Sequence, residues 1–324
     1  MKKFLIHSCL FAAVLIAAGT GFEVMLHRIP NTYRFKKGLI ETKGDEMKTI
    51  IIGSSVGIHG IDASELPEGT YNLAISAQWL HYNRLMLEKY IDRMPQLESV
   101  ILAFCYQALW EEDNNDHAAL AYHNLYMDIA PEVNRIQACS ELLSGRSFAF
   151  RKWSKYYIRH KNTMSCDSLG VDRGNVTTEK ELEEKLKDIP RRVKAHTTPA
   201  DKATREQIQK NKRHMEQIAA LCRQKGITLY VVLPPVHKEY YRLADKAQIK
   251  EMEELLEELE SKWDNVRCHN YLAADGFEDT DFSDGNHLSS DIGAPKFTRI
   301  LRHDLQLDNG AQPEPSAHRQ EGTK

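Results

Sequence analysis

From residue 47 onward the chain alternates short apolar runs with longer stretches whose apolar positions recur every three or four residues. "MKTIIIG", ending at Gly53, is an unbroken run rich in β-branched residues and predicts a buried strand. "TYNLAIS" (70–76) predicts a second, short strand. The next segment, "QWLHYNRLMLEKYIDRM", places Leu80, Leu87, Ile91 and Met94 at helical spacing until Pro95 stops it. "ESVILAF" (98–104) predicts the third strand. Strand, helix, strand at this spacing is a parallel βαβ unit, with the right-handed crossover that twisted strands impose.

From 107 to about 200 the alternation stops. Polar and aromatic stretches such as "DNNDHAALAYHNLY" and "RKWSKYYIRHK" read as a helical and loop insertion. The alternation resumes with a helix over 201–224, which carries Ile208, Met215, Ile218 and Cys222 on one side and has Gly226 as its C-cap. A strand "ITLYVVL" (227–233), a charged helix over about 244–262, a short strand "NVRCHNY" and a last helix over about 290–303 follow. The pattern predicts an α/β fold, a three-layer α/β/α domain over 47–306 with about five parallel strands in a flavodoxin-like arrangement. The Pro- and Gly-rich tail, 307–324, reads as disordered. In open parallel sheets ligands bind beyond the carboxyl ends of the strands. That rule places the Gly53-Ser54-Ser55 turn, the loop after the second strand, Tyr106-Gln107 and Pro234–His237 on one rim.

The first 26 residues change the picture. Lys2-Lys3 precede an apolar run from Phe4 that weakens through "GTGFEVML", where it tolerates Glu23. This is a signal anchor or a signal peptide. Length favours the uncleaved single-pass anchor, and Ala17-Ala18-Gly19 offers the alternative of cleavage and secretion. Residues 27–46 read as a polar juxtamembrane linker. Arg28, Arg34, Lys36 and Lys37 compete with Lys2 and Lys3 in setting orientation, and the domain is expected to face the periplasm or exterior. Cys9 is not read as a lipidation site. Cys222 and Cys268 fall in apolar patterns, leaving Cys139 with Cys166 as the one pair to test as a disulfide. A net charge of -3, with no Lys/Arg cluster flanked by aromatics in the way a nucleic-acid face needs, argues against nucleic acid.

The chemistry concentrates in two places. Gly53-Ser54-Ser55-Val56-Gly57 matches G-x-S-x-G, but it follows the first strand of the domain, whereas the nucleophile elbow of α/β-hydrolases follows several. "IIIGSSVGIHGID" near the domain start and "DFSDGNHLSSDIGAPKFTRIL" near its end together resemble the SGNH or GDSL-type serine esterases and acyltransferases. The resemblance implies Ser55 as nucleophile with Asp284 and His287 as its partners, across most of 47–303. "YNLAISAQ" resembles the block that supplies an oxyanion-hole glycine amide, with Ala77 at that position. The third block, which ends in an asparagine in the family, reads "LAFCYQALW", so Gln107 or Tyr106 stands in for that donor. A serine hydroxyl becomes a good nucleophile when an imidazole takes its proton and a carboxylate orients that imidazole. Amides at Ser55 and Ala77 would stabilise an oxyanion, an effect worth about 2.7 to 4 kcal/mol per donor.

Blander readings stand beside these. Ser54 and Ser55 are also ordinary strand-ending and helix-capping residues. His59, Trp79 and His237 lie on the expected rim as weak substrate-binding candidates, with surface or packing roles as the alternative. "EMEELLEELE" is the solvated face of an amphipathic helix. The chain has no H-E-x-x-H, Cys/His metal spacing, phosphate loop or dinucleotide fingerprint, so neither metal nor cofactor is expected. The family resemblance implies an extracytoplasmic esterase or O-acyltransferase, most simply of acetyl groups, acting on a cell-surface carbohydrate or acylated glycan. It also implies a multi-span membrane O-acyltransferase as partner. The competing reading is a catalytically inactive scaffold of the same fold that binds glycan or assembles at the envelope.

Overall fold

The computed structural model describes residues 1–111, 117–129, 138–198 and 201–307. Most of the tail expected to be disordered, and parts of the insertion, lie outside the described residues. Five strands form one parallel sheet: β1 (Thr49–Gly53), β2 (Thr70–Asn72), β3 (Ser99–Ala103), β4 (Thr228–Leu233) and β5 (Val266–Asn270). Their spatial order is β2-β1-β3-β4-β5. This is the flavodoxin-like order, in which the chain leaves β1 towards β2 and returns across it to β3. The carboxyl ends of β1 and β3 therefore splay their loops apart and leave a crevice between them.

The sheet forms where the sequence has unbroken apolar runs because its central strands are covered on both faces. Every residue of β1 and β3 is buried, with Ile50, Ile51, Ile52, Val100 and Ile101 at 0% exposure. The flanking helices relevant to the site are α1 (Lys2–His27), α2 (Thr32–Lys43), α3 (Ser55–Gly60), α4 (Leu80–Tyr90), α5 (His117–Met127), α6 (Glu141–Ser144), α7 (Arg146–Trp153), α8 (Glu179–Lys187), α9 (Ile189–His196), α10 (Lys202–Gln224), α11 (Lys238–Leu243), α12 (Lys246–Lys262) and α13 (Gly293–Asp304). Helix α4 packs against α10, α3 against α13, and α12 along β5, which completes a three-layer α/β/α domain with a helical insertion.

Two open readings of the sequence take definite form. The polar juxtamembrane stretch 27–46 is largely helical. Asn31 caps α2 through its side chain, Leu39 and Ile40 join the main core, and Lys36 is fully buried. The Lys36 ammonium donates to the backbone carbonyls of Asn72 and Gly170, so this buried charge ties α2 to the end of β2 and to the insertion. Burial, partly offset by Cys166, Asp172 and Asp167, brings its pKa down to about 8. Cys139 and Cys166 are both free thiols rather than a disulfide.

Helix α1 is 26 residues long with mean hydropathy 2.0 in its most apolar window, long and apolar enough to cross a membrane as an anchor or a signal segment. Glu23, the charge interrupting that apolar run, accepts hydrogen bonds from Ser140 Oγ and from the backbone N–H groups of Glu141 and Leu142 at 3.0, 2.6 and 3.0 Å. The carboxylate satisfies donors that the short helix α6 leaves open at its start.

Candidate functional site

Strand β1 ends in Gly53 at φ +129°, where an added Cβ would sit 2.1 Å from the Ala103 carbonyl oxygen of β3. Only glycine permits that backbone path at the parting of the two strands. The chain then turns at Ser54 and begins α3 at Ser55. Ser54 makes no side-chain cap, so the reading of these serines as a simple helix cap fails for it. Ser55 Oγ instead lies 2.8 Å from His287 Nε2.

His287 is held by Asp284, whose Oδ1 and Oδ2 lie 3.0 and 3.1 Å from Nδ1. A carboxylate at Nδ1 keeps the proton there and leaves the Nε2 lone pair facing the serine hydroxyl. Oδ1 also accepts the backbone N–H groups of Asn286 and His287, both at 3.0 Å, so the carboxylate is fixed by its own turn. Gly285 lets that turn close. A Cβ there would meet Ile189 Cγ1 at 2.8 Å.

The insertion, which the sequence pattern showed only as a loss of alternation, completes the surroundings. Arg192 on α9 places Nη2 3.3 Å from Asp284 Oδ2 and donates from Nη1 to Asn286 Oδ1 at 3.1 Å. Burial acts to raise the Asp284 pKa. The His287 hydrogen bond and charge, the Arg192 guanidinium and the Asn286 amide outweigh it and hold the carboxyl well below the usual carboxylate range. Asn175 donates to Ser283 Oγ and to the Leu288 carbonyl at 2.7 and 2.9 Å, bracing both sides of the Asp284 turn. Arg192 was legible only as part of "IPRRVKAH", a helix start marked by Pro190 with Arg192 and His196 four apart on one face.

The remaining candidates divide. His59, on α3 with Ser55, stands edge-on to His287 at a ring-centroid distance of 6.0 Å, and its Nδ1 is 3.7 Å from Asp172 Oδ2. Burial and the neighbouring His287 push its pKa down to about 4, so it is neutral at pH 7. His237 is occupied elsewhere: its Nδ1 accepts from the Glu239 amide at 3.2 Å, its Nε2 donates to Asp279 Oδ1 at 3.1 Å, and its backbone N–H donates to the Gly285 carbonyl at 3.0 Å. It supports the Asp284 turn from the protein side. Trp79 precedes α4 at its N-cap position, without a side-chain capping hydrogen bond, and lines a small cavity with Gly53, Ser54, Gln78, Cys105 and Ala108.

Ala77 is exposed and has φ 56°, the left-handed backbone that a glycine would take without strain. Ser55 N–H, at the first position of α3, has no partner within its helix. Tyr106 and Gln107 are both buried in the turn after β3, and Tyr106 packs edge-on against Tyr240 at 6.2 Å. Among the described residues neither makes a hydrogen bond to Ser55, whose hydroxyl is engaged by His287. Tyr240 in turn lies 2.6 Å from His196 Nδ1, and burial with the Arg192 charge lowers His196 to about 4. Among the described residues no group of His, Cys, Asp and Glu side chains is arranged to hold a metal ion.

No family model and no curated protein sequence matches the chain. Among solved structures it is similar to one described as "a putative platelet activating factor from Streptococcus pneumonia", at 11% identity and a TM-score of 0.38, covering 92% of this chain and 97% of that one.

Proposed function

We propose that the chain is a serine esterase or O-acyltransferase of the SGNH type, held at a membrane by α1, facing away from the cytoplasm and acting on acylated carbohydrate at the cell surface. One observation carries the reading. Ser55 and His287, 232 residues apart in sequence, meet at hydrogen-bond distance with Asp284 on the far ring nitrogen.

The geometry suits the following sequence. Ser55 Oγ attacks the ester carbonyl as its proton passes to His287 Nε2, and Asp284 stabilises the resulting imidazolium. The carbonyl oxygen becomes an oxyanion facing the Ser55 and Ala77 amides. Collapse breaks the ester C–O bond, the leaving alcohol takes the proton from His287, and the acyl group remains on Ser55. Water or a sugar hydroxyl then attacks the acyl-enzyme, returning a proton through His287 and releasing acid or a new ester. Against burial, the His287 hydrogen bond and charge, with the Arg192 guanidinium, favour the ionised form of Asp284. An acetyl donor is the simplest assignment, with a multi-span membrane O-acyltransferase as the partner that would supply acyl groups.

The test is fluorophosphonate labelling of the full chain in detergent, with the modified residue mapped by mass spectrometry. Labelling at Ser55 that is abolished by Ser55→Ala and by His287→Ala is the expected result. A folded protein that takes up no label would overturn the catalytic reading and leave a glycan-binding scaffold.

A further inference from the structure

The basic, aromatic stretch "RSFAFRKWSKYYIRHK", residues 146–161, has no part in the chemistry above. It contains six Lys and Arg residues and no acid, in a chain whose net charge is -3. One of them, Lys152, is buried and paired with Glu141 at 2.7 Å. Arg146, Arg151, Lys155, Arg159 and Lys161 are all exposed. So are Leu143, Phe150 and Ile158, at 54%, 56% and 59% of their surface, a combination soluble surfaces seldom gather in one place.

Its position gives the combination a meaning. The segment is packed on the carboxyl-terminal end of α1. Phe22 packs, with tilted rings, against Phe150 and Trp153 at centroid distances of 4.8 and 5.7 Å, and Tyr157 Oη donates to the Met25 carbonyl at 3.1 Å. Leu26, Ile29 and Ala149 form a small, fully buried core of their own. The Glu23 contacts described above lock the same junction. Beyond it, Phe4, Phe11, Val14 and Ile16 of α1 are 74%, 67%, 66% and 69% exposed, as a span awaiting lipid would be. The apolar helix α1 therefore meets this segment through Phe22, which packs against Phe150.

We propose that residues 141–161 form a foot that rests on the membrane surface. Leu143 and Phe150 enter the headgroup–acyl boundary, and the five exposed cations engage anionic phospholipid headgroups. Aromatic side chains prefer that boundary, and basic residues beside a span are drawn to anionic lipid. The inference rests on α1 being a membrane span, and not on the chemistry at Ser55.

The experiment places an environment-sensitive fluorophore on single cysteines in the full chain, with the exposed Cys9 and Cys139 replaced by serine, reconstituted into bilayer discs. Leu143→Cys and Phe150→Cys report on the foot, Val14→Cys on the span, and Lys250→Cys on the distant helix α12. In discs containing phosphatidylglycerol, lipid-borne nitroxide should quench Leu143→Cys and Phe150→Cys several-fold more than Lys250→Cys. Glutamate at Arg146, Arg151, Lys155 and Arg159 together should abolish that difference while leaving Val14→Cys quenched. Foot probes as accessible to aqueous iodide as Lys250→Cys, with Val14→Cys in lipid, would overturn the foot alone. Equal quenching in phosphatidylcholine and phosphatidylglycerol discs would overturn the anionic partner. A Val14→Cys probe outside the lipid would remove the span and the foot with it.

Discussion

Replacing Asp284 with asparagine keeps the volume of the side chain and inverts its hydrogen-bond logic. Oδ1 is held by two backbone amides at 3.0 Å, so the amide oxygen of the variant stays there and its NH2 group takes the place of Oδ2, 3.1 Å from the ring. The NH2 group offers a lone-pair ring nitrogen a donor where Oδ2 was an acceptor, and this favours the tautomer with the proton on Nε2, aimed at Ser55, over the one whose Nδ1 proton the amide oxygen, 3.0 Å from the ring, could still accept. The general base is lost, as is the carboxylate charge that steadies the imidazolium. In a serine protease triad the same exchange costs about 10,000-fold, which is about 5 kcal/mol of barrier. The measurement is the second-order rate of fluorophosphonate labelling at pH 7.5, with thermal unfolding as a check on folding. A folded Asp284→Asn protein that labels within tenfold of wild type would refute the assignment of His287 as a base oriented by Asp284.

Further outcomes follow from the same geometry. Arg192→Ala should slow labelling by about tenfold, the scale of one charge-assisted hydrogen bond partly replaced by solvent, while leaving Ser55 the labelled residue. His59 and His196 each bind their proton near pH 4 in the fold and near about 6.5 when unfolded, so the unfolded state holds more protons between those values. Stability is therefore full above pH 7 and falls as pH drops from about 6.5 to about 4, at up to about 1.4 kcal/mol per unit for each histidine. Denaturant melts should show that slope, and His59→Gln should remove one histidine's share. Ala77→Gly relieves a left-handed alanine and should raise stability by up to about 1 kcal/mol in the same melts without changing the labelling rate, since the amide remains. A loss of stability in Ala77→Gly would show that the strain argument fails at this position.

The sheet was legible because its central strands are covered on both faces and so read as uninterrupted apolar runs, from "TIIIG" to "TLYVVL". The Ser55, Asp284 and His287 trio was legible because two short local motifs each place their own residues, one at a strand end and one in a tight turn. What escaped depends on distant partners. Lys36 looks like a linker lysine until Asn72 and Gly170 present their carbonyls to it, and Glu23 looks like a flaw in an apolar run until the start of α6 arrives. Arg192 belongs to a segment whose periodicity is interrupted by short helices, and nothing within α9 announces that Asp284 lies beside it. His237 sat on the right rim in sequence, but its side chain is engaged by Asp279 and the Glu239 amide.

The buried lysine of α2 has a mechanical consequence. From Lys36 the connection runs to the Asn72 carbonyl, and the Asn72 side-chain amide donates to the carbonyls of Gly57 and Ile61, at the middle and just beyond the end of the helix that begins with Ser55. The segment between the apolar N-terminal helix and Ser55 is thus a bracket hydrogen-bonded to the body of the domain, where a floppy leash would have let the site roam. A leash lets an active site sweep a volume; a bracket holds it at one stand-off and one tilt. On the proposed function, with α1 in a bilayer, the chain that carries the ester would have to be brought to that height, and the length of whatever presents it would become a selection rule.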